Sequence, residues 1–352
     1  MEGAADQGQA GGAREANASA VGRLPDFFVV GHPKSGTTAM HVMLAQHPQI
    51  FVGAKEPRYF VPEMRLRDFR RTNETPKDLA EYEAWFAGAT PEQIVGDITP
   101  TYLWSKHAAA LIAETCPQAR IIALLREPAS FLRSLHMQWL QSYVEVESDF
   151  KQALALEEPR RRGEQMPRDT YWPNTLFYSE YIRYVEQLRR LYEHFPRERV
   201  LLLIYDDYQR DNEATVRKVL RFLEVEEMPL SIRRAKPTVE VRTPRVNSVL
   251  RQLTVADRGV PGALRKSIKA LTPMQARQSL LHFIRKRIVY AKPGAPDEAF
   301  MAELRRRLKP EVVALSEYLD RDFVSLWGYD KIGASSRTDG DAWTARWPPP
   351  AP

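Results

Sequence analysis

Two hydrophobic periodicities alternate along this chain. Short runs are apolar throughout: Asp26–Val30 after its first residue, Arg120–Leu125 after its first, and Val200–Tyr205. Each has the length and β-branched content of a strand buried on both faces. Ile50–Val52 and Ile94–Leu103 add two more candidates, the second turning at Thr99-Pro100. Between them, apolar residues recur every three or four positions, which predicts helices over Thr37–His47, Leu79–Phe86, Lys106–Glu114, Ala129–Tyr143, Asn174–His194, Asp211–Phe222 and Pro296–Leu319. In the longest of the middle group, Tyr181, Val185, Leu188, Tyr192 and Phe195 form one stripe, read as core. Charged Asp149–Asp169 reads as mobile, and Arg65–Lys77 as irregular. Strands alternating with helices predict an α/β fold with a mainly parallel central sheet flanked by helices. The expected organisation is a disordered tail over 1–24, one domain over 25–331, and a second disordered tail over 332–352.

The first strand runs into Gly31-His32-Pro33-Lys34-Ser35-Gly36-Thr37-Thr38. A strand, a small-residue loop and a helix start make an anion cradle, because loop N–H groups and the helix dipole converge on one point. The spacing is close to G-x-x-x-x-G-K-[ST], so the core is P-loop-like. However, Thr37 holds the usual lysine position, and the loop's lysine is Lys34, two residues before Gly36. Such a lysine leans over the 5′ end of a bound anion.

A second anchor is Arg126-Glu127-Pro128 followed by Ser134. An arginine leaving the C-terminal end of a buried parallel strand lies where open α/β sheets bind ligands. Ser134, about two helical turns on, can share its side, and a guanidinium with a hydroxyl suits a second phosphate. Arg126 could equally pair with Glu127 or Asp97.

The displaced-lysine loop resembles the 5′-phosphosulfate loop of the sulfotransferases, which use 3′-phosphoadenosine 5′-phosphosulfate (PAPS) and release 3′-phosphoadenosine 5′-phosphate. Arg126 and Ser134 are similar to that family's 3′-phosphate site. The resemblance implies that Lys34, Ser35, Gly36, Thr37 and Thr38 bind the 5′-phosphosulfate and that Arg126 and Ser134 bind the 3′-phosphate. The seven scattered histidines and single cysteine have no metal-ligand spacing, so no metal is expected. Glu56-Pro57-Arg58-Tyr59-Phe60 is similar to the Glu-x-His-Phe-Phe block of the heparan-sulfate-type branch, whose glutamate is the proposed base. Arg58 replaces that pattern's His and Val61 its Asp, so the acceptor environment differs. The phenol- and steroid-type members use a histidine base, for which His107 and His136 are the candidates here. Gly96-Asp97-Ile98-Thr99-Pro100-Thr101-Tyr102 resembles the family's Gly-Glu-Lys-Ser-Pro-x-Tyr turn, with Ile98 in place of its lysine. The likeness spans about residues 26–330 and is most like bacterial members of the heparan-sulfate/carbohydrate-type branch. A sulfotransferase with catalytic Lys34 and Glu56 is the leading expectation. Its acceptor bears a hydroxyl on a carbohydrate or small metabolite, and Arg58, Tyr171 and Trp172 are candidate wall residues. The competing expectations are a P-loop kinase or NTPase using Asp206, and a non-catalytic protein that binds anions or a membrane surface.

Composition bounds these readings. With 352 residues and 43% hydrophobic content the chain can bury a large core. No apolar run approaches the length of a membrane span. The first twenty residues lack a basic start and an apolar centre, so no signal peptide is expected. One cysteine, Cys116, cannot form an internal disulfide, which points to a reducing, cytoplasmic setting. The net charge of +6 is uneven: residues 241–292 hold twelve Lys/Arg against the single acid Asp257, leaving the remainder mildly acidic. That segment suits an anionic acceptor, a membrane face or a solvated helical surface. Nucleic acid is not an expected partner, and oligomeric state is left open.

Overall fold

The computed structural model describes residues 22–64, 75–142, 144–167, 170, 172–230, 240–241, 290–291 and 294–332. Tyr171, most of the basic 241–292 segment, nearly all of both tails and most of 65–77 therefore lie outside the described residues.

The apolar runs form a five-stranded sheet: β1 (Phe27–Gly31), β2 (Ile50–Val52), β3 (Ile94–Ile98), β4 (Arg120–Leu125) and β5 (Val200–Ile204), in the order β2-β3-β1-β4-β5. Every pairing is parallel, with Phe28 opposite Asp97 on one side and Ile121 on the other. Alternate side chains serve opposite faces. Phe28, Val30, Val95, Ile121, Ala123 and Leu125 enter one core, whereas Phe27, Val29, Ile98, Ile122, Leu124, Leu201 and Leu203 enter the other. This two-sided burial explains why the strands show no polar alternation. Gly31 is required where β1 meets β4: at φ +142° a Cβ there would lie 2.4 Å from Leu124 O.

Helices cover both faces: α1 (Thr37–Leu44), α2 (Leu79–Ala84), α3 (Ala108–Thr115), α4 (Pro128–Ser142), α5 (Phe150–Ala155), α6 (Glu157–Arg161), α7 (Tyr184–His194), α8 (Tyr205–Arg210), α9 (Asn212–Phe222), α10 (Glu298–Leu319) and α11 (Phe323–Leu326). Asp78, Asp149, Asp211 and Asp297 cap α2, α5, α9 and α10 through their side chains. No helix among the described residues is long and apolar enough to cross a membrane. Glu240–Val241 pairs antiparallel with Tyr290–Ala291, bracketing the basic segment.

Two expectations are corrected. The helix expected over Asn174–His194 is broken: Pro173–Leu176 and Tyr178–Ile182 are 3₁₀ turns, and only Tyr184–His194 is α-helical. Side chains capture the backbone there. Glu157 accepts from Ser179 N–H at 3.0 Å, and Gln187 donates to Glu180 O at 2.7 Å. The stripe residues Tyr181, Leu188 and Phe195 are nonetheless core.

The charged stretch 149–169, expected to be mobile, contains α5 and α6 and buries two of its charged residues, Glu157 and Arg160. Arg160 donates both terminal nitrogens to Glu145 at 2.7 Å, both side chains being fully buried, and Tyr178 OH adds a bond at 3.1 Å. Arg161 bridges Glu157 and Glu180, each at 2.8 Å. The last segment also locks onto the sheet edge. Tyr329 OH donates to Glu127 at 2.6 Å, Trp327 Nε1 to Asp206 at 3.0 Å, and Arg321 pairs with Asp207 at 2.7 Å.

Removing one partner of a buried ion pair strands the other. Glu145→Ala is therefore expected to cost about 3–5 kcal/mol of stability in denaturant unfolding, and Glu145→Leu combined with Arg160→Met to recover most of it.

Candidate functional site

Strands β3, β1 and β4 are neighbours in the sheet. The Lys34 loop follows β1, Arg126 follows β4, Glu56 lies after β2, and Ser134 lies in α4. The loop from β1 closes with Ser35 N–H donating to His32 O at 3.2 Å. Lys34 and Gly36 adopt positive φ, +70° and +95°. Gly36 is the N-cap of α1, without a side-chain cap, and the first turn holds no acid. The helix start thus keeps unsatisfied N–H groups and positive potential for a ligand. Ser35 Oγ is fully buried and has no hydrogen-bond partner among the described residues. Thr37 is buried, while Lys34, Gly36 and Thr38 are partly exposed. An uncapped helix start, an orphaned hydroxyl and a glycine at the turn fit a phosphate-type oxyanion.

The loop rests on aromatic rings. His32 stacks on Tyr184 and lies against Phe131, both at 4.9 Å between centroids. Its Nε2 is 2.8 Å from Gln187 Oε1. Since Gln187 commits its amide nitrogen to Glu180 O, its oxygen accepts, and His32 carries its proton on Nε2. Burial drives the His32 pKa down to about 4, so the ring is neutral at physiological pH. A Cβ on Gly36 would sit 3.4 Å from the Tyr205 ring, which with Tyr208 packs against the loop.

Arg126 and the loop are in direct contact. Its Nη1 donates to Lys34 O at 2.9 Å, and its guanidinium lies 4.8 Å over Tyr205. Neither Glu127 nor Asp97 takes it. Glu127 caps α4 through Ala129 N and Ser130 N and accepts from Tyr329. Asp97 accepts three hydroxyls, from Thr99, Tyr102 and Tyr82, at 2.6, 2.7 and 2.8 Å. Ser134 lies in the second turn of α4, 3% exposed. The Lys34 pKa is lowered, first by burial and then by the charges of Arg126 and Lys55. Cations facing one another in this way create a field suited to a multiply charged anion.

Glu56 sits in the turn after β2. Its N–H donates to Ile98 O at 3.2 Å, tying it to the end of β3, and its φ is +62°. One carboxylate oxygen pairs with Lys55 and the other with Arg58 Nη2 at 2.9 Å. Burial pushes its pKa up, but the two cations outweigh that and hold it below the ordinary glutamate value. Arg58 lies 5.3 Å over the Trp172 ring, whose Nε1 donates to Met64 O at 2.8 Å. Arg58 and Trp172 therefore form one wall beside Glu56.

The alternative residues are placed elsewhere. His107 is exposed at the start of α3. His136 is buried in α4, 2.8 Å from Glu147 O, and packs on Phe150. Asp206 is held by Trp327. Burial raises the Cys116 thiol to about 12, which suits a structural cysteine rather than a nucleophile. From the sequence Lys55 is legible only as an ion-pair partner of Glu56, alongside Arg58, and both pairs form. The Tyr205/Tyr208 pair, at i,i+3 after β5, is not singled out by residue patterns.

A family model described as "Sulfotransferase family" matches residues 25–229. Carbohydrate sulfotransferase 15 of Homo sapiens is 25% identical over 246 residues, 57% of this chain and 44% of that protein. Heparan sulfate glucosamine 3-O-sulfotransferase 3B1 of Mus musculus is 24% identical over 205 residues, 57% of this chain and 46% of that protein. The match thus spans less than half the length of these curated relatives. The crystal structure of a sulfotransferase from Alicyclobacillus acidocaldarius aligns with a TM-score of 0.53 and 25% identity, over 72% of this chain and 99% of that one.

Asp97 offers a test of the cradle's underside. Burial lifts its carboxyl to about 6 despite three hydroxyl donors, and the Glu56 charge adds to the rise. A folded-state value above the unfolded one gives stability that is complete below the unfolded value and is lost as pH rises through the folded one. Relative to Asp97→Asn, the wild type is expected to gain up to about 3 kcal/mol between pH 7 and pH 4 in urea unfolding.

Proposed function

Because the chain belongs to the sulfotransferase family, we propose that its sulfuryl donor is PAPS, its acceptor a carbohydrate hydroxyl, and its base Glu56. The observation that carries this reading is the contact of Arg126 with the backbone of the Lys34 loop at an uncapped helix start. Loop N–H groups, Ser35 and Thr38 would hold the 5′-phosphosulfate, with Arg126 and Ser134 toward the 3′-phosphate. Bound there, PAPS supplies an electrophilic sulfur with a good leaving group. Glu56 takes the acceptor proton as the acceptor oxygen bonds to sulfur. The bond from sulfur to the phosphate oxygen breaks, its electron pair stays on that oxygen, and Lys34 offsets the new charge. Lys55 and Arg58 outweigh the burial of Glu56 and keep it ionised at neutral pH, the form a base needs, while also weakening it as a proton acceptor.

A carbohydrate acceptor is supported by the names of the relatives and by the Arg58–Trp172 wall, since a flat indole and a guanidinium suit a sugar face with polar or anionic substituents. The kinase reading is disfavoured by the commitment of Asp206 to Trp327 and by Thr37 in the lysine position.

A thermal-shift titration with 3′-phosphoadenosine 5′-phosphate, 5′-AMP and ATP–Mg tests the donor. The bisphosphate alone should stabilise the wild type, by about 2.7 kcal/mol at a hundredfold excess over Kd. Lys34→Ala and Arg126→Ala should lose the shift, and preference for ATP–Mg would sink the reading. Glu56→Gln should keep the shift and lose about 10²–10⁴ in kcat; full activity in that variant would remove Glu56 as the base.

A further inference from the structure

The turn that carries Glu56 is pinned at both ends. His41 Nε2, on α1, lies 3.0 Å from Gly53 O, and Glu56 N–H reaches Ile98 O on β3. Gly53 is packed so closely that a Cβ would fall 2.9 Å from Trp85 O. Lys55 stands between the two pins, its side chain 25% exposed, with its ammonium on Glu56. It is close enough to the phosphate loop for its charge to depress Lys34 and His41. Lys55 is therefore within the field of both the donor cradle and the carboxylate.

The two cations on Glu56 are not equivalent. Arg58 is a planar group backed by the Trp172 ring, whereas Lys55 is a point charge on a flexible stem with three rotatable donors. A carboxylate that holds both is a poor proton acceptor, and Arg58 alone would leave it a stronger one. Sulfuryl oxygens entering the cradle compete for the mobile ammonium.

Building on the PAPS reading, we propose that Lys55 is a further catalytic residue: it pairs with Glu56 in the free enzyme and moves to the sulfuryl oxygens when the donor binds. One lysine then links donor occupancy to the freeing of the base. Lys34 serves the leaving phosphate oxygen, and Lys55 serves the group being transferred.

The sulfuryl oxygens distinguish PAPS from its product, so calorimetric binding of both ligands without acceptor tests the idea. Lys55→Met should weaken PAPS about tenfold and leave 3′-phosphoadenosine 5′-phosphate within about twofold, which also shows that the variant is folded. Lys55→Arg should restore part of the preference, and Lys34→Ala should weaken both ligands. With saturating PAPS, the acid limb of kcat should stay in place in Lys55→Met, because Lys55 has already left Glu56. The other charged groups in the field of Glu56 (Arg58, His41 and Asp97) are common to both enzymes. Equal loss of both ligands, no loss of either, or an acid limb moved upward by about one pH unit would overturn the proposal. Failure of either ligand to bind the wild type would instead overturn the donor reading, and this inference with it.

Discussion

A surplus of positive charge at the C-terminal edge of the parallel sheet is the constraint on which the site depends. Lys34, Lys55, Arg58 and Arg126 converge there, and Glu56 is the carboxylate directly paired among them. Such an arrangement is costly unless an anion completes it. The surrounding structure keeps other acids from doing so. Glu127 is spent on the α4 start and on Tyr329, and Asp97 is enclosed by three hydroxyls. The aromatic floor of His32, Phe131 and Tyr184 adds no charge of its own. Glu56 offsets part of the positive field through Lys55 and Arg58, while Glu127 and Asp97 are satisfied by other donors.

The same logic recurs farther from the sheet. Glu145 and Arg160 are completely buried yet bonded in fork geometry, and Glu157 is shared between Arg161 and Ser179. These groups sit behind Tyr178 and Tyr181, whose rings press on the core under α4. Buried ionic pairs therefore fill positions that apolar residues fill elsewhere, and each charge is tolerated there only because its partner is present.

Much of this was legible in the sequence because the signals were local. Phe27–Gly31, Arg120–Leu125 and Val200–Ile204 are strands buried on both faces, and they read as unbroken apolar runs. The Lys34 loop and Arg126 could be picked out from their positions at strand ends. What failed were inferences that treat charge as solvent-facing. Glu145, Glu157 and Arg160 are opposed by partners up to 33 residues apart in sequence, as Tyr178 is from Glu145, and no periodicity reports such pairing. The break before Tyr184 was hidden for a related reason, since side-chain acceptors displaced helical bonds without any Pro or Gly inside the stripe. Adjacency alone made Lys55 a candidate partner of Glu56, but its effect on Lys34 depends on the fold and has no signal in the sequence.

The closure of the sheet edge by the last segment also bears on the order in which the protein is made. The Lys34 loop, Glu56 and Arg126 all lie N-terminal to Trp327 and Tyr329, so they leave the ribosome before those two residues. Glu127 and Asp206 obtain Tyr329 and Trp327 only when the end of the fold leaves the ribosome. A nascent chain would hold the assembled cation cluster beside carboxylates that still lack these partners. Glu127 keeps its local bonds to Ala129 and Ser130 N–H throughout, so what comes late is the closure of the sheet edge by the final helical segment.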